Sequence, residues 1–222
     1  PIHGSIQKLS ARGAGAMGDL LTLCEDKCFR ILANKDALYN ADGSINVTAS
    51  NNVLGQAIPY AGEFGISKNP ESFATYGFRA YFTDKARGAV LRLSRDGLTE
   101  RSEKGMSDYF QDELTSATGH LTGSYDETTS TYNIKLGDEQ VSFKESVDGW
   151  TTRLSYTPEF AVSLNNNYYS YHKSELWIHN NTTRANFFDV QESTTVSTII
   201  NDSPSKIKNF KTISYEGDAG WN

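Results

Sequence analysis

The chain has 222 residues, 37% of them hydrophobic and 12% aromatic, with 12 Tyr, 11 Phe and 3 Trp. That is enough for one large or two smaller β domains, with a core that must be largely aromatic. A net charge of -6 with no basic run excludes nucleic acid as a main partner, because phosphate recognition needs a concentrated positive face. No apolar run approaches the roughly 18 residues of a membrane helix, and no signal peptide is recognisable, so a soluble chain without a membrane span is expected.

In chain order, Gly13-Ala-Gly15-Ala-Met-Gly18 satisfies the dinucleotide fingerprint, with Asp36 at a fitting distance. The fingerprint works only between a buried parallel strand and a helix, where backbone N–H groups and the helix dipole meet the pyrophosphate. Ser5–Ser10 is half polar and a hairpin follows, so no cofactor is expected there. Leu21 and Leu23, the turn Glu25-Asp26-Lys27, then Phe29 and Ile31 predict that hairpin. Cys24 and Cys28 are too few for a disulfide scaffold or a zinc site, and read as small, partly buried thiols. The long loop Pro59–Ser72 mixes glycines with aromatics, a composition typical of ordered contact loops.

Tyr81-Phe82-Thr83, the turn Asp84–Gly88, and Ala89, Leu91 and Leu93 predict a second hairpin. Met106, Phe110 and Leu114 recur every four residues, predicting one short helix over 105–114 with Ser107 as N-cap. The Ser/Thr-rich stretch 115–131 reads as an exposed loop or linker between a β module at 1–114 and another at 132–222. Ile134 and Leu136 against Val141 and Phe143 give a third hairpin. Tyr169-Ser-Tyr171 and Leu176-Trp177-Ile178 give a fourth, and Val196–Ile200 and Ile207–Tyr215 read as further strands.

Asp-Gly pairs stand at 42–43, 96–97 and 148–149, spaced 54 and 52 residues apart, and Asp96-Gly-Leu-Thr-Glu-Arg101 parallels Asp148-Gly-Trp-Thr-Thr-Arg153. A strand-turn-strand unit recurring every ~50 residues is blade-sized for a β-propeller, although turn chemistry recurs in any antiparallel protein. The fold class predicted is all-β and antiparallel, with propeller-like blades that need not close, or alternatively a β-sandwich.

No catalytic or metal-binding residues are expected. His172 and His179 sit on one hairpin with only Glu175 nearby, which is too few for a metal. The acids Asp42, Asp84, Asp96, Asp138 and Asp148 fall in turns, and no nucleophile elbow, paired-histidine zinc motif or phosphate loop occurs. A propeller-type hydrolase would instead need two carboxylates about 5–10 Å apart. Tyr168, Tyr169, Tyr171 and Trp177 could form an exposed row contacting a glycan or a partner protein, although alternation makes half of such residues core. The Asn-X-Ser/Thr sites at Asn46, Asn180, Asn181 and Asn201 are explained by composition alone.

Several blocks carry a resemblance. Lys35-Asp-Ala-Leu-Tyr-Asn-Ala-Asp-Gly43, Val53-Leu-Gly55, Gly65–Ser72, Phe78–Lys85, Arg87–Gly97 and Gly105-Met106 resemble large virion structural proteins of tailed bacteriophages, in marine cyanophage-like and crAss-like groups. Val141-Ser-Phe143, Gly149-Trp-Thr151, Pro158-Glu-Phe160, Ser163–Asn166, Leu176-Trp177, Lys208–Lys211 and Tyr215-Glu-Gly217 extend it. The resemblance implies a non-enzymatic place in the tail, neck or baseplate region, assembled in the host cytoplasm. It implies other virion proteins as partners, several copies per particle, and at a tail tip a host surface glycan. Family members are longer, and the chain begins at Pro1 without methionine, which is the expectation for a fragment or processed product.

Overall fold

A computed structural model describes residues 2–12, 18–40, 45–198, 203–214 and 216. Strand-forming alternation governs most of it, and each sheet is antiparallel with neighbours consecutive in sequence. The first sheet holds β1 (Ile6–Arg12), β2 (Asp19–Cys24), β3 (Cys28–Tyr39) and β4 (Ile45–Pro59). The second holds β5 (Ala74–Tyr76), β6 (Arg79–Asp84), β7 (Ala89–Ser94) and β8 (Gly97–Glu100). After α1 (Ser107–Ser116), the third holds β9 (Gly123–Asp126), β10 (Thr131–Leu136), β11 (Glu139–Lys144) and β12 (Gly149–Leu154). A three-stranded sheet follows, with β13 (Phe160–Leu164), β14 (Asn167–His172) and β15 (Glu175–Ile178), and then a small hairpin, β16 (Asn186–Phe187) and β17 (Val190–Gln191).

The fold is all-β and antiparallel, and none of its sheets closes on itself. The order within each sheet is consistent with blade-like units or a sandwich. The Asp-Gly repeat falls at equivalent places. Asp96-Gly97 joins the third and fourth strands of the second sheet, and Asp148-Gly149 does so in the third. Gly97 (φ 105°) and Asp148 (φ 47°) take the left-handed conformation such turns need. Asp42-Gly43 lies between β3 and β4, outside the described residues.

Sheets pack face to face. Leu21, Leu23 and Cys28 of the first sheet meet Ala80, Phe82, Ala89, Leu91 and Leu93 of the second, with Ile66 from the loop between them. The alternate residues of the second sheet, Tyr81 and Val90, turn the other way and join Tyr125, Tyr132, Ile134, Leu136, Val141 and Phe143 of the third. Phe110 and Leu114 of α1 complete that cluster. The central strands β6 and β7 of the second sheet are therefore buried on both sides, with apolar runs at Ala80–Phe82 and Ala89–Leu91. Glu145, in the turn between β11 and β12, clamps this junction, accepting hydrogen bonds from Tyr81 Oη (2.9 Å) and Arg92 Nη1 (3.0 Å).

Three expectations need correction. The helix runs two residues further than predicted, and its N-cap is Met106, with no side-chain capping bond, so Ser107 is the first helical residue. The stretch 115–131 is not simply an exposed loop: residues 121–126 are buried and include β9, whose polar side chains are hydrogen-bonded rather than solvated. The strands expected at 196–200 and 207–215 do not form among the described residues, where 192–198 and 203–214 carry no strand. Alternation gives a strand only where a partner edge satisfies its backbone, and here Ile207, Phe210 and Ile213 stand exposed. Ile200 and Tyr215 lie outside the described residues.

Candidate functional site

The fourth sheet gathers the aromatic residues singled out by sequence, and two left-handed turns set its geometry. Asn165 and Asn166 (φ 51° and 62°) join β13 to β14, and Lys173 and Ser174 (φ 50° and 66°) join β14 to β15. Positive φ at both central residues gives two-residue turns that match strand twist. The register places Phe160 opposite Tyr171, Val162 opposite Tyr169, Tyr169 opposite Ile178, and Tyr171 opposite Leu176. Directly opposed residues share a face. One face thus carries Phe160, Val162, Leu164, Asn167, Tyr169, Tyr171, Leu176 and Ile178, and the other carries Ala161, Tyr168, Ser170 and Trp177.

The second of these faces is the inner one. Tyr168 is 1% exposed, and its hydroxyl shares a 2.7 Å hydrogen bond with Ser124 Oγ and accepts from Asn133 Nδ2 (3.4 Å). Ser142 Oγ donates to Asn133 Oδ1 (2.7 Å), and Ser163 Oγ donates to the Tyr125 carbonyl (2.9 Å). Gln140 Nε2 donates to the Tyr156 carbonyl (2.8 Å). Ser124, Asn133, Gln140 and Ser142 are all buried and hydrogen-bonded, so the junction of third and fourth sheets is a polar seam, with the Trp177 Nε1–H on the inner face left without a partner.

Beside the seam lies an aromatic cluster. Phe187 stacks on Tyr156 (4.3 Å between centroids), Phe188 stacks on His172 (4.2 Å), and Trp177 meets Phe188 edge-on (5.6 Å). His179 Nε2 lies 2.5 Å from Ser170 Oγ, and its ring stacks on Tyr156. Burial pushes the His179 imidazolium pKa below its ordinary value, with the Asp126 carboxylate opposing the shift. The histidines expected on a hairpin surface are thus half-buried packing partners. Phe187 and Phe188, which anchor the cluster, went unnoticed in the sequence because a two-residue strand has no periodicity.

The four contact candidates are not brought into one row. Tyr168 is core, Trp177 faces inward and half-buried, and only Tyr169 and Tyr171 reach the outer face. Sequence alternation signalled this split, since 168 and 169 must point opposite ways. The outer face is nonetheless conspicuous. Phe160 is 59% exposed, Leu164 67% and Leu176 68%, with Val162, Tyr171 and Ile178 also open. It is a predominantly apolar sheet surface, with Asn167 beside Leu164 at its turn end.

Other chemistry is sparse. Among the described residues, no group of three or more His, Cys, Asp or Glu is placed to hold a metal ion. The carboxylates with resolved shifts, Glu25, Glu63, Asp96 and Asp148, are all held below their ordinary range, chiefly by hydrogen bonds from Ser5, Lys27, Ser94 and Lys104 respectively. A general acid needs the opposite shift. Cys24 and Cys28 are buried free thiols, and burial pushes Cys28 up to about 12, so it stays protonated at neutral pH. A cleft of about 640 Å³ beside Glu25, Lys68, Lys85 and His120 mixes both signs of charge. The fingerprint match at 13–18 lies mostly outside the described residues, but antiparallel β1 and β2 flank it, with Arg12 paired to Asp19, rather than a parallel strand and a helix. No helix among the described residues is long and apolar enough to cross a membrane.

Comparison with known proteins adds to this geometry. No curated protein matches the chain. Six solved chains do. One is a catalytically inactive virginiamycin B lyase from Staphylococcus aureus, with quinupristin, at 11% identity and a TM-score of 0.37. The match covers 81% of this chain and 58% of that one. At that TM-score the likeness fixes neither fold nor activity. Residues 182–222, which include the β16–β17 hairpin, match the family model of the Crassvirus muzzle protein C-terminal domain, and that match supports a structural protein of a crassvirus virion.

Proposed function

We propose that this chain is a non-enzymatic structural module in the tail, neck or baseplate region of the virion, working through protein–protein contact. The open apolar face of the fourth sheet carries the reading. A surface of this kind is a contact site awaiting a partner, since isolated soluble chains rarely leave so large an apolar patch uncovered. The segment matching the muzzle domain packs against the same sheet from its other side through Phe187 and Phe188. Assembly in the bacterial cytoplasm, several copies per particle, other virion proteins as neighbours, and blade-like use of the sheets belong to the same proposal.

Gold-labelled antibody against this chain, viewed on purified particles by electron microscopy, tests it. Label at the tail end of the particle is expected, and label confined to the capsid shell, or absent, overturns it. The glycan-binding alternative finds less support. Tyr169 lies between Val162 and Ile178 and Tyr171 between Phe160 and Leu176, all apolar, where a sugar platform calls for adjoining polar groups that fix orientation.

A further inference from the structure

The four sheets form a series, each laid on the next, and the series has two ends. One end is the outer face of the fourth sheet. The other is the outer face of the first, opposite the side that meets the second. Register identifies its residues: Leu9 lies opposite Thr22, Ala11 opposite Leu20, Leu20 opposite Ile31, Thr22 opposite Phe29, and Ile31 and Phe29 opposite Ala57 and Pro59. None of these is charged, although Thr22 at its middle is buried and the His3 ring packs edge-on against Phe29 (5.3 Å), so the open part is the side around Leu9, Ala11 and Ala57. Leu9 is 52% exposed, Ala11, Ala57 and Pro59 are exposed, and Leu20, Phe29 and Ile31 are half-buried.

We infer that these two end faces bind each other, so that the fourth sheet of one copy packs on the first sheet of a second copy, head to tail. Resting on the contact-based function above, the inference names the partner as another copy of this chain. Within one copy, the faces of the second sheet are already covered in this manner by neighbouring antiparallel sheets. A second copy supplies the same kind of cover at each end, with pleated surfaces that interdigitate about 10 Å apart. The area of the fourth-sheet face sits at the low end of what a specific interface needs. At ordinary residue areas, the exposed fractions of Phe160, Val162, Leu164, Tyr171, Leu176 and Ile178 amount to on the order of 600 Å², against roughly 800 Å² per partner in a standard interface. Because the two faces differ, the contact is heterologous, and repetition yields a closed ring or an open stack rather than a two-fold dimer.

Sedimentation velocity over a concentration series tests this on the whole chain. The native protein is expected to grow beyond the monomer as concentration rises toward roughly 100 μM, a range in which even a weak interface is populated. Val162→Lys with Leu176→Lys blocks one end, and Leu9→Lys with Ala57→Lys blocks the other; all four positions are exposed, and circular dichroism checks that both variants stay folded. Each variant alone is expected to remain monomeric, with association weakened at least about tenfold. Mixed together, they are expected to form a complex of two chains that grows no further, because each retains one intact face. A monomeric native protein, a first-sheet variant that still self-associates, or a mixture that stays monomeric overturns the inference. The antibody experiment on particles reads out independently, so a monomeric chain located in the tail would discard the head-to-tail contact and leave the structural role standing.

Discussion

Gly123 opens β9 where a Cβ would lie 1.9 Å from the Ser72 carbonyl oxygen and 2.7 Å from Tyr132 Oη. Tyr132 is itself fully buried and donates to that same carbonyl at 2.7 Å. Burial pushes its phenol far above the ordinary range, so it remains a donor throughout the working pH range. Gly123→Ala must displace the backbone or break this bond, and is expected to cost about 1–3 kcal/mol or more in urea unfolding. His179 gives a pH-dependent expectation. Its imidazolium is disfavoured in the folded chain, so the unfolded chain binds more protons at mildly acidic pH. Stability should be intact above the ordinary value of 6.5, fall as pH drops through it, and level off below the lowered folded value. Thermal melts from pH 8 to about 5 would reveal this, and His179→Phe should remove that part of the slope. None of these buried roles could be read from residue type alone, because burial of a glycine or histidine depends on what long-range packing brings to it.

Hairpins were the most legible elements, because period-two alternation bounded by turn residues specifies both strands and their connection. The pairs β2–β3, β6–β7, β10–β11 and β14–β15 all form where alternation put them. The helix was legible through Met106, Phe110 and Leu114, and Leu114→Ala should cost about 2–5 kcal/mol by leaving a cavity beside Phe110. The turn at Lys173-Ser174 shows where local chemistry departs from preference, since both residues hold left-handed backbone better suited to Asn-Gly. Replacing them with Lys173→Asn and Ser174→Gly should stabilise the hairpin by about 0.5–1 kcal/mol, visible as a raised melting temperature. Alternation failed for the distal chain, where residues 207–213 have a strand's composition without a strand's neighbour.

At the scale of the whole molecule, alternation shows that a strand has two faces but not what covers each. Ser124, Asn133 and Ser142 have the composition of a solvated face, yet the fourth sheet lies over them. For the same reason Phe160, Leu164 and Leu176 have the composition of core, yet they face outward. The seam between third and fourth sheets should also be the weakest junction, because beside the buried Ala161 and Tyr168 it holds mainly by hydrogen bonds worth about 1 kcal/mol each. Tyr168→Phe should raise amide exchange in β13–β15 while leaving β6–β11 protected, a pattern readable by mass spectrometry.

The polar seam has one more consequence. Greasy surfaces can slide over one another with little change in energy, whereas the Ser124–Tyr168 and Gln140–Tyr156 bonds are satisfied in a single alignment. They act as a key in a slot, setting the compass bearing at which the outermost sheet presents its bare side. Any neighbour docking there would inherit that bearing, so a handful of hydroxyls and amides deep inside one subunit would set the pitch of the assembly built from many.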